Sequence, residues 1–141
     1  MRFWDASALI PLLVDERRTK SLRALLKADE RVLVWWASPV ECASGLARRL
    51  RDGDLDAEQH RQALKALGAT MPGWRVVTPT ALVRYNAMRF VRLYPLRTGD
   101  ALQLAAATAW AEQQPGGLAF VCLDRCLSDA ATAEGFTILP S

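Results

Sequence analysis

The chain has 141 residues, 51% of them apolar and 23% charged. That is the size and composition of one ordinary folded domain, and it excludes a disordered tail or a multi-domain array. Eighteen Lys and Arg against fifteen Asp and Glu give a net charge of +3, which permits a polyanionic partner without demanding one. No apolar run approaches the ~20 residues of a membrane span.

Three cysteines without a regular framework, Cys42, Cys122 and Cys126, argue for a reducing compartment. A single histidine, His60, leaves no complete structural zinc set. Cys122 and Cys126 read either as a redox pair or as idle thiols. The apolar N-terminus is interrupted by Asp5 and has no small-residue cleavage site, so it does not read as a signal peptide. The expectation is a soluble, cytoplasmic protein.

In chain order, Arg2 to Asp5 reads as a short buried strand. Ser7 to Val14 is apolar, and beyond the charged run at Asp15 to Arg18, Leu22, Leu25 and Leu26 recur at helical spacing. Val32 to Ala37 reads as a strand. In Ser38-Pro39-Val40-Glu41 a serine cap, a proline at the first helical position and a glutamate at the third make a capping box. Asp56 caps a further helix whose inner face holds Leu64 and Leu67. Trp74 to Val77 reads as a short strand. Thr78-Pro79 repeats the cap-plus-proline signal ahead of a helix carrying Leu82, Tyr85 and Val91 inward. Thr98 caps the next helix, Leu118 to Leu123 is a buried strand ending at Asp124, and Phe136 to Leu139 closes the chain as a strand. Strands alternating with helices predict an α/β fold, a parallel central sheet with helices on both faces. No linker or repeat divides residues 1–141.

Four acids stand out. Asp5 and Asp124 each end an apolar strand, at the edge where open α/β sheets bind ligands. Glu41 and Asp100 each sit in the first turn of a predicted helix, and Glu41 follows its strand closely enough to share that edge. Gathered together, four carboxylates repel one another, so protons or a cation must neutralise them. An all-oxygen donor set without histidine favours Mg²⁺ or Mn²⁺, which can acidify a water and stabilise charge at a phosphoryl centre. Each residue also has an ordinary reading. The capping box accounts for Glu41, the helix dipole for Asp100, and a polar turn after a strand for Asp5 and Asp124. Ser7 either orients the Asp5 carboxylate or caps the following helix. Arg97 either meets a phosphate or is a solvated side chain, as is usual for the cluster Arg48, Arg49 and Arg51. Trp35 and Trp36 alternate across a strand, which suits core packing better than base stacking.

These residues resemble a known family. WDASAL at Trp4 to Leu9, SPVECASGLARR at Ser38 to Arg49, LRTGDALQLAAA at Leu96 to Ala107 and FVCLDRCLSDAATAEGF at Phe120 to Phe136 are similar, in order and spacing, to the four motifs of PIN domains. Size and the middle motifs look most like the VapC-type toxins of toxin–antitoxin pairs. The resemblance implies an Mg²⁺- or Mn²⁺-dependent endoribonuclease, a homodimer, an RNA substrate and a cognate VapB-like antitoxin. It implies Asp5, Glu41, Asp100 and Asp124 as the metal-binding catalytic acids, with Ser7 in support; from the residues themselves, Asp129 and Arg97 are further candidates for a supporting place. Ala6 departs from the pattern, where threonine is frequent. Asp129 competes with Asp124 for the fourth position, but its angle on the helix turns it from the core-facing stripe. A phosphatase resembling haloacid dehalogenases requires an aspartate where Ser7 stands, and a two-histidine ribonuclease requires a second histidine. A non-catalytic RNA-binding or scaffold module on the same fold is the alternative.

Overall fold

The computed structural model describes residues 1–141. Five short strands form one sheet: β1 (Arg2–Trp4), β2 (Val32–Trp35), β3 (Arg75–Val77), β4 (Ala119–Val121) and β5 (Thr137–Leu139). Their order is β3-β2-β1-β4-β5 and every pairing is parallel. Seven helices cover the sheet: α1 (Ala6–Leu13), α2 (Thr19–Ala28), α3 (Ser38–Arg51), α4 (Ala57–Thr70), α5 (Ala81–Leu93), α6 (Thr98–Trp110) and α7 (Arg125–Glu134).

Strand alternation divides the interior in two. Phe3, Leu33, Trp35 and Phe120 point to one face and pack with α5, α6 and α7. Trp4, Val32, Val34 and Val121 point to the other and pack with α1, α2, α3 and α4. Both faces of the sheet are thus buried, which is why the strands read as unbroken apolar runs. The predicted three-layer α/β architecture is the one observed. No helix is long and apolar enough to cross a membrane.

The strand order reverses beside β1. From β1 the chain moves outward to β2 and β3, then returns to β1's other side for β4 and β5. Such a switch point opens a crevice at the C-terminal ends of the two central strands. On one flank of that edge α1 and α3 pack closely at Gly45. A Cβ there would run into Ile10 Cδ1, so any larger residue would require the end of the Ile10 side chain to move aside.

Several local expectations are corrected. In α5 the buried residues are Val83, Asn86, Ala87 and Phe90, whereas Leu82, Tyr85 and Val91 are exposed. Apolar residues surround most of this helix, so the stripe is offset by about one residue, or ~100°. Thr80, rather than Thr78, caps α5, accepting from Val83 N at 3.3 Å. Thr98 lies inside α6, whose cap position is Arg97 and carries no side-chain bond. In α4, Leu67 is buried beside Ala63 while Leu64 is exposed. Asp56 caps α4 as expected, in a full capping box with Gln59. Trp35 is core and Trp36 is 59% exposed. The three cysteines are free. Cys42 and Cys122 are buried, and burial pushes both thiols up to about 12, which makes them unreactive.

Candidate active site

A cleft of about 640 Å³ opens over the switch point, lined by Asp5, Ser7, Glu41, Arg48, Arg97, Asp100 and Asp124 among others. All four predicted acids reach it by the same local device, the start of a helix. Asp5 leaves β1 and caps α1, accepting from Ser7 N at 3.1 Å. Asp124 follows β4 after two residues and caps α7, accepting from Leu127 N at 2.8 Å. Glu41 and Asp100 stand in the first turns of α3 and α6. Four helix N-termini thus direct partial positive charge toward one acidic cluster.

Asp5 is the buried member. Its Oδ2 accepts the Ser7 hydroxyl at 2.6 Å, and Ser7 Oγ in turn accepts from Leu123 N at 3.0 Å. Ser7 is therefore not the cap of α1. It pins the Asp5 carboxylate and ties the end of β1 to the end of β4. Burial holds the Asp5 carboxyl above its ordinary range, Ser7's hydrogen bonds pull it back, and the charge of Asp124 raises it further.

Glu41 departs from the capping box read in the sequence. The cap position of α3 is Ala37, without a side-chain bond, and Ser38 is already helical and fully buried. The hydroxyl of Ser38 faces Gln103 of α6, and Glu41 Oε2 accepts from Gln103 Nε2 at 2.7 Å. Capping therefore does not explain Glu41. Its carboxyl is pushed up to about 7, chiefly by burial and then by Asp5 and Asp100, against the lowering effect of Gln103. Asp100 is also raised, by burial first and then by Asp124 and Asp5, while Arg97 lowers it. Gln103 was missed at the sequence level. Its signal was a lone amide in the apolar run of α6, three residues after Asp100 and so on nearly the same helical face.

Asp129 lies on the exposed surface of α7 and does not line the cleft. Arg97 and Arg48 do line it; Arg49 also does, but its guanidinium is held by Glu16 at 2.5 Å and by Gly45 O at 3.1 Å. No three acidic, cysteine or histidine side chains already converge in a closed ligand set. The match to a divalent cation is one of donor chemistry: hard oxygens, mutually repelling, with no histidine on the cleft wall.

A model of the PIN domain matches residues 2–131. The chain belongs to the PIN domain family. This PIN domain also resembles several solved structures in fold. FitAcB from Neisseria gonorrhoeae superposes with a TM-score of 0.71 at 16% identity, covering 98% of this chain and 96% of that one. VapC20 from Mycobacterium tuberculosis, described as a sarcin-ricin loop cleaving toxin, gives 0.69 at 21% identity, covering 97% of each. A toxin–antitoxin complex from Klebsiella pneumoniae gives 0.60 at 16% identity, covering 88% of this chain and 87% of that one. No curated protein sequence matches the chain.

Proposed function

We propose that this PIN domain, residues 1–141 acting as one unit, is an Mg²⁺- or Mn²⁺-dependent endoribonuclease and the toxin of a toxin–antitoxin pair, working in the cytoplasm. The observation that carries the reading is the cleft over the switch point, where four carboxylates gather and where burial, with the neighbouring acids adding to it, raises the proton affinity of Asp5, Glu41 and Asp100. A stable fold gains nothing from that repulsion, whereas a cation site needs it. Two of the structural neighbours are described as a toxin–antitoxin complex and a sarcin-ricin loop cleaving toxin, which supports the same reading.

Asp5, Glu41, Asp100 and Asp124 would hold the ion, which when bound supplies an acidified water and positive charge beside a phosphoryl group. The remaining residues prepare the site. Ser7 fixes the Asp5 carboxylate, Gln103 fixes Glu41, and Arg97 and Arg48 offer guanidinium groups to the phosphates of an RNA strand. Asp124 is favoured over Asp129 as the fourth acid because it lines the cleft. The cognate partner is a VapB-like antitoxin that blocks this cleft.

Purified protein should cleave single-stranded RNA with Mn²⁺ or Mg²⁺ and stop in excess chelator. Undiminished cleavage in chelator would sink the mechanism. RNA binding without cleavage at any metal concentration would favour a non-catalytic RNA-binding module.

A homodimer completes the reading. Tyr85 and Met88 on α5 are 63% and 64% exposed, next to exposed Leu82 and Val91, an apolar stripe that a second copy can cover. Light scattering at micromolar concentration should give twice the chain mass, and Tyr85→Glu should halve it. A wild-type monomer contradicts the dimer.

A further inference from the structure

Glu41 is gripped from two sides by one helix. Gln103 Nε2 donates to its Oε2 at 2.7 Å, and the same nitrogen reaches Ser38 Oγ at 3.1 Å. One turn earlier on α6 stands Gly99, where an added Cβ would lie 3.0 Å from Glu41 Oε1. That is tighter than an ordinary contact, so the glycine is the space in which Oε1 rests. Gln103 is completely buried among Ala101, Leu104, Ala105, Ala106 and Ala107. A buried amide costs stability unless its hydrogen bonds are made. Ser38 alone does not account for it, because an alanine and a leucine at these two positions would leave nothing unsatisfied. The group that needs the amide is the Glu41 carboxylate.

We propose that Gly99 and Gln103 form a cradle on α6 that positions the Glu41 carboxylate for a divalent cation, Gln103 fixing Oε2 and the missing side chain of Gly99 leaving room for Oε1. Gln103 and Gly99 are positioning residues and touch neither RNA nor the reacting phosphate. The inference rests on the nuclease reading above. It adds that α6 carries an acid of its own, Asp100, and also orients the acid of α3, so that one rigid helix sets the separation of both.

The test is Mn²⁺ binding to RNA-free protein, read from the electron paramagnetic resonance signal of the free ion, with melting temperature measured alongside. Gln103→Met keeps the volume and removes the donor. Gly99→Ala fills the space with a better helix former, so its melting temperature should hold or rise. Each should weaken Mn²⁺ binding roughly tenfold, as loss of a group orienting a metal ligand does. In a Glu41→Gln background Gln103→Met should cost nothing further, because the carboxylate it serves has gone. Equal losses in both backgrounds would reduce Gln103 to a packing role. A folded Gly99→Ala protein with wild-type affinity would overturn the cradle even if Gln103→Met failed to fold. By contrast, wild-type protein that binds no Mn²⁺, or Glu41→Gln protein that binds it as tightly, overturns the nuclease reading itself.

Discussion

Asp5→Asn is expected to abolish RNA cleavage and to raise the melting temperature of the metal-free protein. Asp5 is 4% exposed, burial disfavours its ionised form, and the charge of Asp124 disfavours it further. Asparagine keeps an oxygen that can accept from Ser7 N and Oγ, so the turn from β1 into α1 survives. It discards the charge. Relief of one poorly solvated buried group is worth on the order of 1–2 kcal/mol, or roughly 3–8 °C for a domain of this size. Cleavage should fall by at least about a thousandfold, near 4 kcal/mol of transition-state stabilisation. Activity lost together with stability would instead mean that Asp5 is a structural cap. The opposite signs of the two effects are the signature of a residue kept for chemistry at the expense of the fold.

The second large effect is in pH. The Glu41 carboxyl titrates at about 7 when folded against 4.5 unperturbed, and Asp5 and Asp100 shift the same way. For an acid with a raised folded pKa, the folded state binds more protons than the unfolded one between the two values. Stability is therefore greatest below the unfolded pKa and is lost as pH rises toward the folded one. Metal-free protein should melt several degrees lower at pH 7.5 than at pH 5. Mn²⁺, which needs the deprotonated carboxylates, should reverse that loss at pH 7.5 and do little at pH 5. Its affinity should rise about tenfold per pH unit below 7 for each proton displaced. A melting temperature that climbs from pH 5 to 7.5 without metal, or an affinity flat across that range, would show that the acids do not share one field.

Much of this was legible in the residues themselves. The strands announced themselves because a sheet covered on both faces leaves no polar alternation, so Val32 to Trp35 and Ala119 to Val121 are apolar throughout. Asp5 and Asp124 were visible as charges closing such runs. Glu41 was ambiguous because Ser38-Pro39-Val40-Glu41 has the composition of a capping box; the decision lay with Gln103, sixty-two residues away, which draws both Ser38 and Glu41 into tertiary bonds. Local capping lost to a long-range partner, which no local pattern can register. The phase of α5 was misread for another reason. With Leu82, Val83, Tyr85, Ala87, Met88, Phe90 and Val91 spread around its circumference, two stripes compete. Burial then follows the stripe that meets α6 and the sheet.

The strand order also bears on how the protein is made. β1 emerges first from a ribosome yet lies at the centre of the sheet, and one of its two neighbours, β4, comes from residues 119–121. Asp5 N bonds to Val121 O at 3.0 Å, and Leu123 N bonds to Ser7 Oγ. Until those residues leave the exit tunnel, Asp5 lacks its wall and the cleft lacks Asp124. Closing so distant a pairing is slow. On the proposed reading as a ribonuclease, that delay would keep the nascent chain harmless while it is still tethered to its own message.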